Sequence, residues 1–154
     1  MLVRQSTAEG APATLRVAFA SGDRKRVDQH FGAATAFVLY DVSREESRMA
    51  GMAEFPAEML DGSENKLAAR VDFLAGCDAV FVFAIGASAI EQLLARGVQP
   101  LRVGETDVID TLLKGIGDAM RQGGTPWIER ALAAKQKQKA GDRFALMEAE
   151  GWEE

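Results

Sequence analysis

The sequence predicts an α/β fold: a mixed five-stranded sheet of strand order 3-2-1-4-5 with flanking helices, the ribonuclease H-like architecture. Three observations predict it. The first third of the chain holds three short apolar runs bounded by turn residues, with no helical period among them. From residue 64 onward, apolar residues recur at helical spacing and alternate with two further short apolar runs. Strand–helix–strand crossovers are right-handed, which sets the two later strands on one side of the first while the opening meander extends on the other.

LRVAFAS (15–21) is a strand closed by Gly22-Asp23. TAFVLYDV (35–42) is a second, rich in aromatic and β-branched residues. About a dozen residues separate the two, long for a hairpin loop. SRMAGMAEF (47–55) is the third strand, joined to the second by SREE. ENKLAARVDFLAG (64–76) puts Leu67, Val71 and Leu74 on one helical face, with Asp61 or Ser63 as N-cap and Gly76 just past its end. DAVFVFAI (78–85) is apolar throughout, as a strand buried on both faces would be. GASAIEQLLARG (86–97) is a helix with Ile90, Leu93 and Leu94 inward, and VQPLRV (98–103) is the fifth strand. Thr106 caps the next helix, whose apolar stripe is Ile109, Leu112, Leu113, Ile116 and Met120. Thr125 as N-cap and Pro126 at the first helical position open a last helix to about Lys139. The expected organisation is a flexible arm at 1–13, an α/β domain at 14–122, and a C-terminal helix with an acidic tail at 123–154.

Composition narrows the function classes. The net charge is −5 and the pI about 5.0, which disfavours a nucleic-acid binder, since that needs a concentrated basic face. No apolar run approaches the ~20 residues of a membrane span, and MLVRQSTAEGAPAT lacks the apolar core of a secretory signal. A cytoplasmic monomer is expected. The single cysteine, Cys77, cannot form an intrachain disulfide, and one Cys with one His cannot supply a structural zinc site.

The sole histidine, His30, stands in DQHFG (28–32), inside the long loop after the first strand. In the predicted sheet the connections from strands one and four leave in opposite directions, so a crevice opens at their C-terminal ends. The 22–34 loop, the 55–63 loop, Gly86-Ala87-Ser88 and Gly104-Glu105-Thr106 converge there. His30 suits a metal ligand, a general base or a capping side chain. Phe31 is expected to pack beneath the loop, Gly32 to allow a positive-φ turn, and Asp28 or Gln29 to hold the second ring nitrogen. Gly86-Ala87-Ser88 opens a helix whose free N–H groups favour an anion, although taken alone it is better explained as a plain tight strand-to-helix turn. Arg24, Lys25 and Arg26 make the loop basic, which suits a compact anion or simply a solvated charge run. Met59 offers a soft thioether on the same edge. Cys77 precedes strand four, roughly 20 Å away at the other edge, and reads as a buried hydrophobe.

The stretches LRVAFASGDRKRVDQHFGAATAFVLYDV and NKLAARVDFLAGCDAVFVFAIGASAIEQLLARGVQPLRV resemble the NifX/NafY family of dinitrogenase iron-molybdenum cofactor-binding proteins, over about residues 14 to 135. The resemblance implies a non-enzymatic carrier. Its cargo would be an iron–sulfur metallocluster, NifB-co or a later precursor of the nitrogenase cofactor, passed from the cluster-building enzyme NifB to the scaffold NifEN. The histidine of the family's HFG motif corresponds to His30, the expected cluster-contacting residue. Together with the loop and the helix start read above, the candidate cofactor-binding site comprises His30 with Gln29, Phe31, Gly32, Arg24, Gly86, Ala87 and Ser88, with His30 as the metal ligand. This sequence has FVFAIGAS where some relatives carry cysteine near the end of the fourth strand, so no thiolate is available there.

Two other classes stand beside this one. Nuclease versions of the architecture hold divalent metals on carboxylates of the first strand. LRVAFAS has none, and Asp78 lies at the wrong end of the fourth strand. A histidine acid–base enzyme would need a partner that the sequence does not pair with His30. An interaction module that steadies nitrogenase assembly proteins without a cluster would dock through the C-terminal helix and tail, using Trp127, Phe144 and Trp152.

Overall fold

Strand β1 (Leu15–Ala20) sits at the middle of the sheet and is buried at every position except Arg16. It pairs antiparallel with β2 (Ala36–Val42) and parallel with β4 (Ala79–Val82). Beyond β2 lies β3 (Ser47–Glu54), antiparallel, and beyond β4 lies β5 (Gln99–Arg102), parallel. The order is therefore β3-β2-β1-β4-β5, as the sequence predicts. The computed structural model describes residues 13–55 and 64–137. The 1–12 arm, the 56–63 connection with Met59, Asp61 and Ser63, and the tail with Phe144 and Trp152 lie outside them.

Strand alternation sends side chains to two separate cores. Ala18, Ala20, Phe37, Val80 and Val82 meet helices α1 (Glu64–Leu74) and α2 (Ala87–Ala95), through Val71, Leu74, Ala89 and Leu93. Leu15, Val17, Phe19, Val38 and Ala79 meet α3 (Ile109–Gln122) and α4 (126–137), through Ile109, Leu113, Ile116, Met120 and Ile128. Among the described residues, no helix is long and apolar enough to cross a membrane.

Several expectations need adjusting. In α2 the inward pair is Ala89 and Leu93, one helical repeat apart, while Leu94 is 51% exposed. A 100° step per residue rotates Leu94 off the stripe that Leu93 occupies. Thr106 does not cap α3: Val108 holds that position, and the Thr106 hydroxyl accepts from the Val108 N–H at 3.2 Å. Trp127 packs, partly buried, against the second core. Pro126 does open α4, and the Glu129 N–H donates to the Thr125 carbonyl at 2.9 Å. Gly76 ends α1 at φ 96°, a conformation that other residues adopt only under strain.

The α2 register gives a direct test. Leu93→Ala should lower unfolding free energy by ~2–5 kcal/mol, whereas Leu94→Ala should stay within ~0.5 kcal/mol of the parent. Urea denaturation of both variants measures this, and equal losses would show that the helix is turned otherwise.

Candidate functional site

After β1 the chain makes an excursion over residues 22–27 and then returns to the line of the strand. The Phe83 N–H donates to the Gln29 carbonyl at 2.9 Å, and the Phe31 N–H donates to the Ala84 carbonyl at 2.8 Å. His30 and Ala84 thus form a parallel bridge just past the end of β4. This explains why β4 is shorter than the apolar run 78–85. Beyond Val82 the run pairs with the returning loop instead of with β1.

The excursion is held by local polar chemistry. The Asp23 carboxylate accepts from the Lys25 and Arg26 N–H groups at 2.8 and 3.0 Å. Those backbone bonds, that of Arg26 foremost, hold its carboxyl below the usual range. The Ser21 hydroxyl accepts from the Arg24 N–H at 2.9 Å. Arg24 sits at φ 66°, a strained value for a residue with a side chain. The loop also pairs with the connection leading to α3: Val27 N–H to the Asp107 carbonyl, and Ile109 N–H to the Lys25 carbonyl.

Two apolar anchors straddle the sheet end. Val27 is buried in the α3/α4 core and Phe31 in the α1/α2 core. Each contributes roughly 1.5–3 kcal/mol through burial. Asp28, Gln29 and His30 therefore span the C-terminal edge of the sheet from one core to the other. His30 is exposed there, with its ring 5.6 Å from that of Phe83. Phe83 is itself 51% exposed. Two residues past Ala84, Gly86-Ala87-Ser88 begins α2, and all three are exposed. The fold thus brings His30, Phe83 and the start of α2 to one edge.

Other expected site residues have different tasks. The Gln29 amide is engaged by the loop: its Nε2 donates to the Thr35 hydroxyl at 3.1 Å, and its Oε1 accepts from the Thr35 N–H at 2.8 Å. Asp28 accepts from the Gly22 N–H at 3.1 Å. Both close the neck of the excursion, so neither serves as the expected partner of the second ring nitrogen. A Cβ on Gly22 would stand 2.9 Å from the Gln29 amide nitrogen, so a larger residue there would have to displace the end of the Gln29 side chain. Gly32 is not in the left-handed region. It lies in a 3-10 turn, Phe31–Ala33, with open space where a Cβ would be.

The basic cluster divides. Arg26 pairs with Asp107 at 2.5 Å, while the Arg24 guanidinium reaches the Met52 sulfur on β3 at 3.7 Å. Met52 and Met49 are both more than two-fifths exposed. Phe83 and Met52 are missed by the sequence reading. The one sign of Phe83 is that its apolar run outlasts what a two-sided strand requires. Among the described residues no group of three or more His, Cys, Asp or Glu could hold a metal ion. A groove of about 450 Å³ lies at the far end, between the β2–β3 turn and α3, away from His30.

Cys77 is 5% exposed, and burial pushes its thiol up to about 11. Because the folded value is raised, the thiol favours the fold at neutral pH and loses that contribution as pH climbs from the ordinary thiol range through about 11. An alkaline fall in stability over that window, diminished in Cys77→Ala, is the expected result of urea titrations at graded pH. An unchanged profile in the variant would assign the fall to other groups.

Comparison with known proteins identifies the family. The family model "Dinitrogenase iron-molybdenum cofactor" matches residues 13–118. Protein NifX of Azotobacter vinelandii is 44% identical over 91% of this chain and 88% of its own length. Protein NifX of Klebsiella pneumoniae is 33% identical, over 90% and 85% respectively. Among solved structures, that of PH0822 is 27% identical and superposes with a TM-score of 0.54, covering 68% of this chain and 90% of that one. The chain belongs to the dinitrogenase iron-molybdenum cofactor family.

Proposed function

We propose that this protein carries an iron–sulfur precursor of the nitrogenase cofactor, NifB-co or a later intermediate, from NifB to the NifEN scaffold, with His30 as the contacting ligand. Its family gives it a role in iron-molybdenum cofactor biosynthesis. The observation that carries the finer reading is the placement of its sole histidine. That imidazole is exposed at the sheet's C-terminal edge, on a turn fixed from both cores and beside an exposed phenyl ring.

The chemistry suits a preassembled cargo. A finished cluster brings its own bridging sulfides, so the protein need not supply a Cys₄ cage. One imidazole nitrogen can coordinate an exposed iron. Phe83 offers an apolar wall, and the N–H groups opening α2 offer donors to sulfide or other anionic atoms. Arg24 and Lys25 stand exposed on the adjoining loop and offer cationic groups near the same edge. A grip with few protein–metal bonds lets the cargo leave quickly, which a handover requires. No residue is assigned a catalytic step.

Anaerobic incubation with isolated NifB-co, followed by gel filtration and iron analysis, should give a brown protein with stoichiometric iron. His30→Ala should retain at least roughly tenfold less, with circular dichroism and thermal midpoint unchanged because the side chain is exposed. Normal retention by the variant would remove His30 as ligand. No uptake by the parent chain, with co-purification of assembly proteins, would favour a cluster-free interaction module instead.

A further inference from the structure

The most deeply buried charge among the described residues is Arg70 of α1, with no exposed surface. Its Nε and Nη2 both donate to one acceptor, the Ala34 carbonyl, at 3.0 and 2.6 Å. The guanidinium also lies 4.6 Å from the centre of the Phe55 ring. Burial pushes the arginine pKa down, which reflects the cost of holding a charge there. An apolar side chain of similar volume often packs in such a place without loss of stability.

Ala34 is the residue at which the 3-10 turn Phe31–Ala33 ends, and its own N–H donates to the Phe31 carbonyl at 3.3 Å. The segment from His30 to Thr35 is thus gripped at three points. The Phe31 N–H is bound to Ala84, Thr35 is strapped by Gln29, and the carbonyl between them is forked by Arg70. The Thr35 carbonyl in turn accepts from the Phe55 N–H at 2.7 Å, and Phe55 is the ring beneath the guanidinium. The first two grips are neutral hydrogen bonds. The third is charge-assisted, roughly twice as strong, and lies in a low-dielectric core.

We propose that Arg70 is the positioning residue for His30: its fork on Ala34 sets the turn that presents the imidazole beside Phe83. The proposal rests on the reading of His30 as cluster ligand for its meaning, and is testable without any cluster. Because His30 is the chain's sole histidine, its ring protons give a single imidazole signal set in proton NMR. Phe83 displaces that set by its ring current while the geometry holds.

Arg70→Met keeps the apolar stem and removes the fork. It is expected to lose the Phe83-dependent displacement, defined by comparison with Phe83→Ala, while far-UV circular dichroism stays native. Arg70→Lys keeps the charge and one donor; it should fold even if the methionine variant does not, and should keep part of the displacement. A folded variant of either kind with an unaltered imidazole signal overturns the proposal. With isolated NifB-co as probe, Arg70→Met should weaken retention on the order of 10–100-fold, and Arg70→Met/His30→Ala should be no worse than His30→Ala alone. Additive losses would reduce Arg70 to general stability and overturn the positioning role. If no variant or parent binds cluster but the imidazole signal responds as stated, the carrier reading fails while the positioning of His30 stands.

Discussion

The C-terminal edge of the sheet depends on one pairing, the return of Gln29–Phe31 alongside Phe83 and Ala84. A parallel sheet ends in backbone groups that need partners, and at a switch point the departing chains leave them in a crevice. Here the chain closes part of that crevice itself. The two hydrogen bonds to Phe83 and Ala84 satisfy groups that β1 no longer reaches. They also fix the distance the loop must bridge between its anchors in the two cores, Val27 and Phe31. Once both anchors are buried, His30 has no interior position left to occupy. Its exposure follows from the geometry of the return, and the side chain gives up no packing to stand at the surface.

Much of the fold is legible in the sequence because its signals are periodic. The switch from short apolar runs to helical spacing near residue 64 marks where the meander gives way to crossovers. Handedness then leaves one strand order. The placement of His30 at the switch-point edge follows from that order, as does the remoteness of Cys77. What the sequence does not reveal is which atoms bond across the loop. Asp28 and Gln29 are acceptable partners for the second nitrogen of an imidazole by residue type. In the folded chain Asp28 goes to Gly22 and Gln29 to Thr35. Gly32 misled for a related reason: glycine permits a positive φ without requiring one, and here the chain follows a 3-10 turn. Arg70 is invisible in the pattern. It stands one residue before Val71 in a helix of low amphipathicity, where an arginine is ordinarily solvated.

The electrostatics of the edge are more balanced than the run Arg24-Lys25-Arg26 suggests. Asp23 binds the loop's own N–H groups, Asp28 caps Gly22, and Asp107 takes Arg26. A net field from that run is therefore not what would attract an anionic cluster. Position matters more. Arg24 is held at a strained backbone angle with its guanidinium against a thioether, a weak partner compared with a carboxylate. A guanidinium so placed exchanges that contact for an anion at little cost. Arg26, already paired, does not.

A carrier must satisfy two opposed demands, and the site's economy bears on both. Retention requires that the donor be preorganised, since each freely rotating group surrenders entropy on binding. Release requires that few bonds be broken at handover. A flexible loop with several ligands meets neither demand well, because it binds with an ordering cost and lets go through several steps. A single imidazole on a rigid turn separates the two. Rigidity comes from neutral and charge-assisted bonds behind the turn, at Ala84, Thr35 and Ala34, none of which touches the cargo. The bond to the cargo can then be only one, and an acceptor protein with more ligands displaces it by ordinary exchange. In the proposed carrier the buried arginine and the exposed histidine would be two ends of one device: the fork on Ala34 would hold the turn, and the imidazole would need to make only one bond to the cargo.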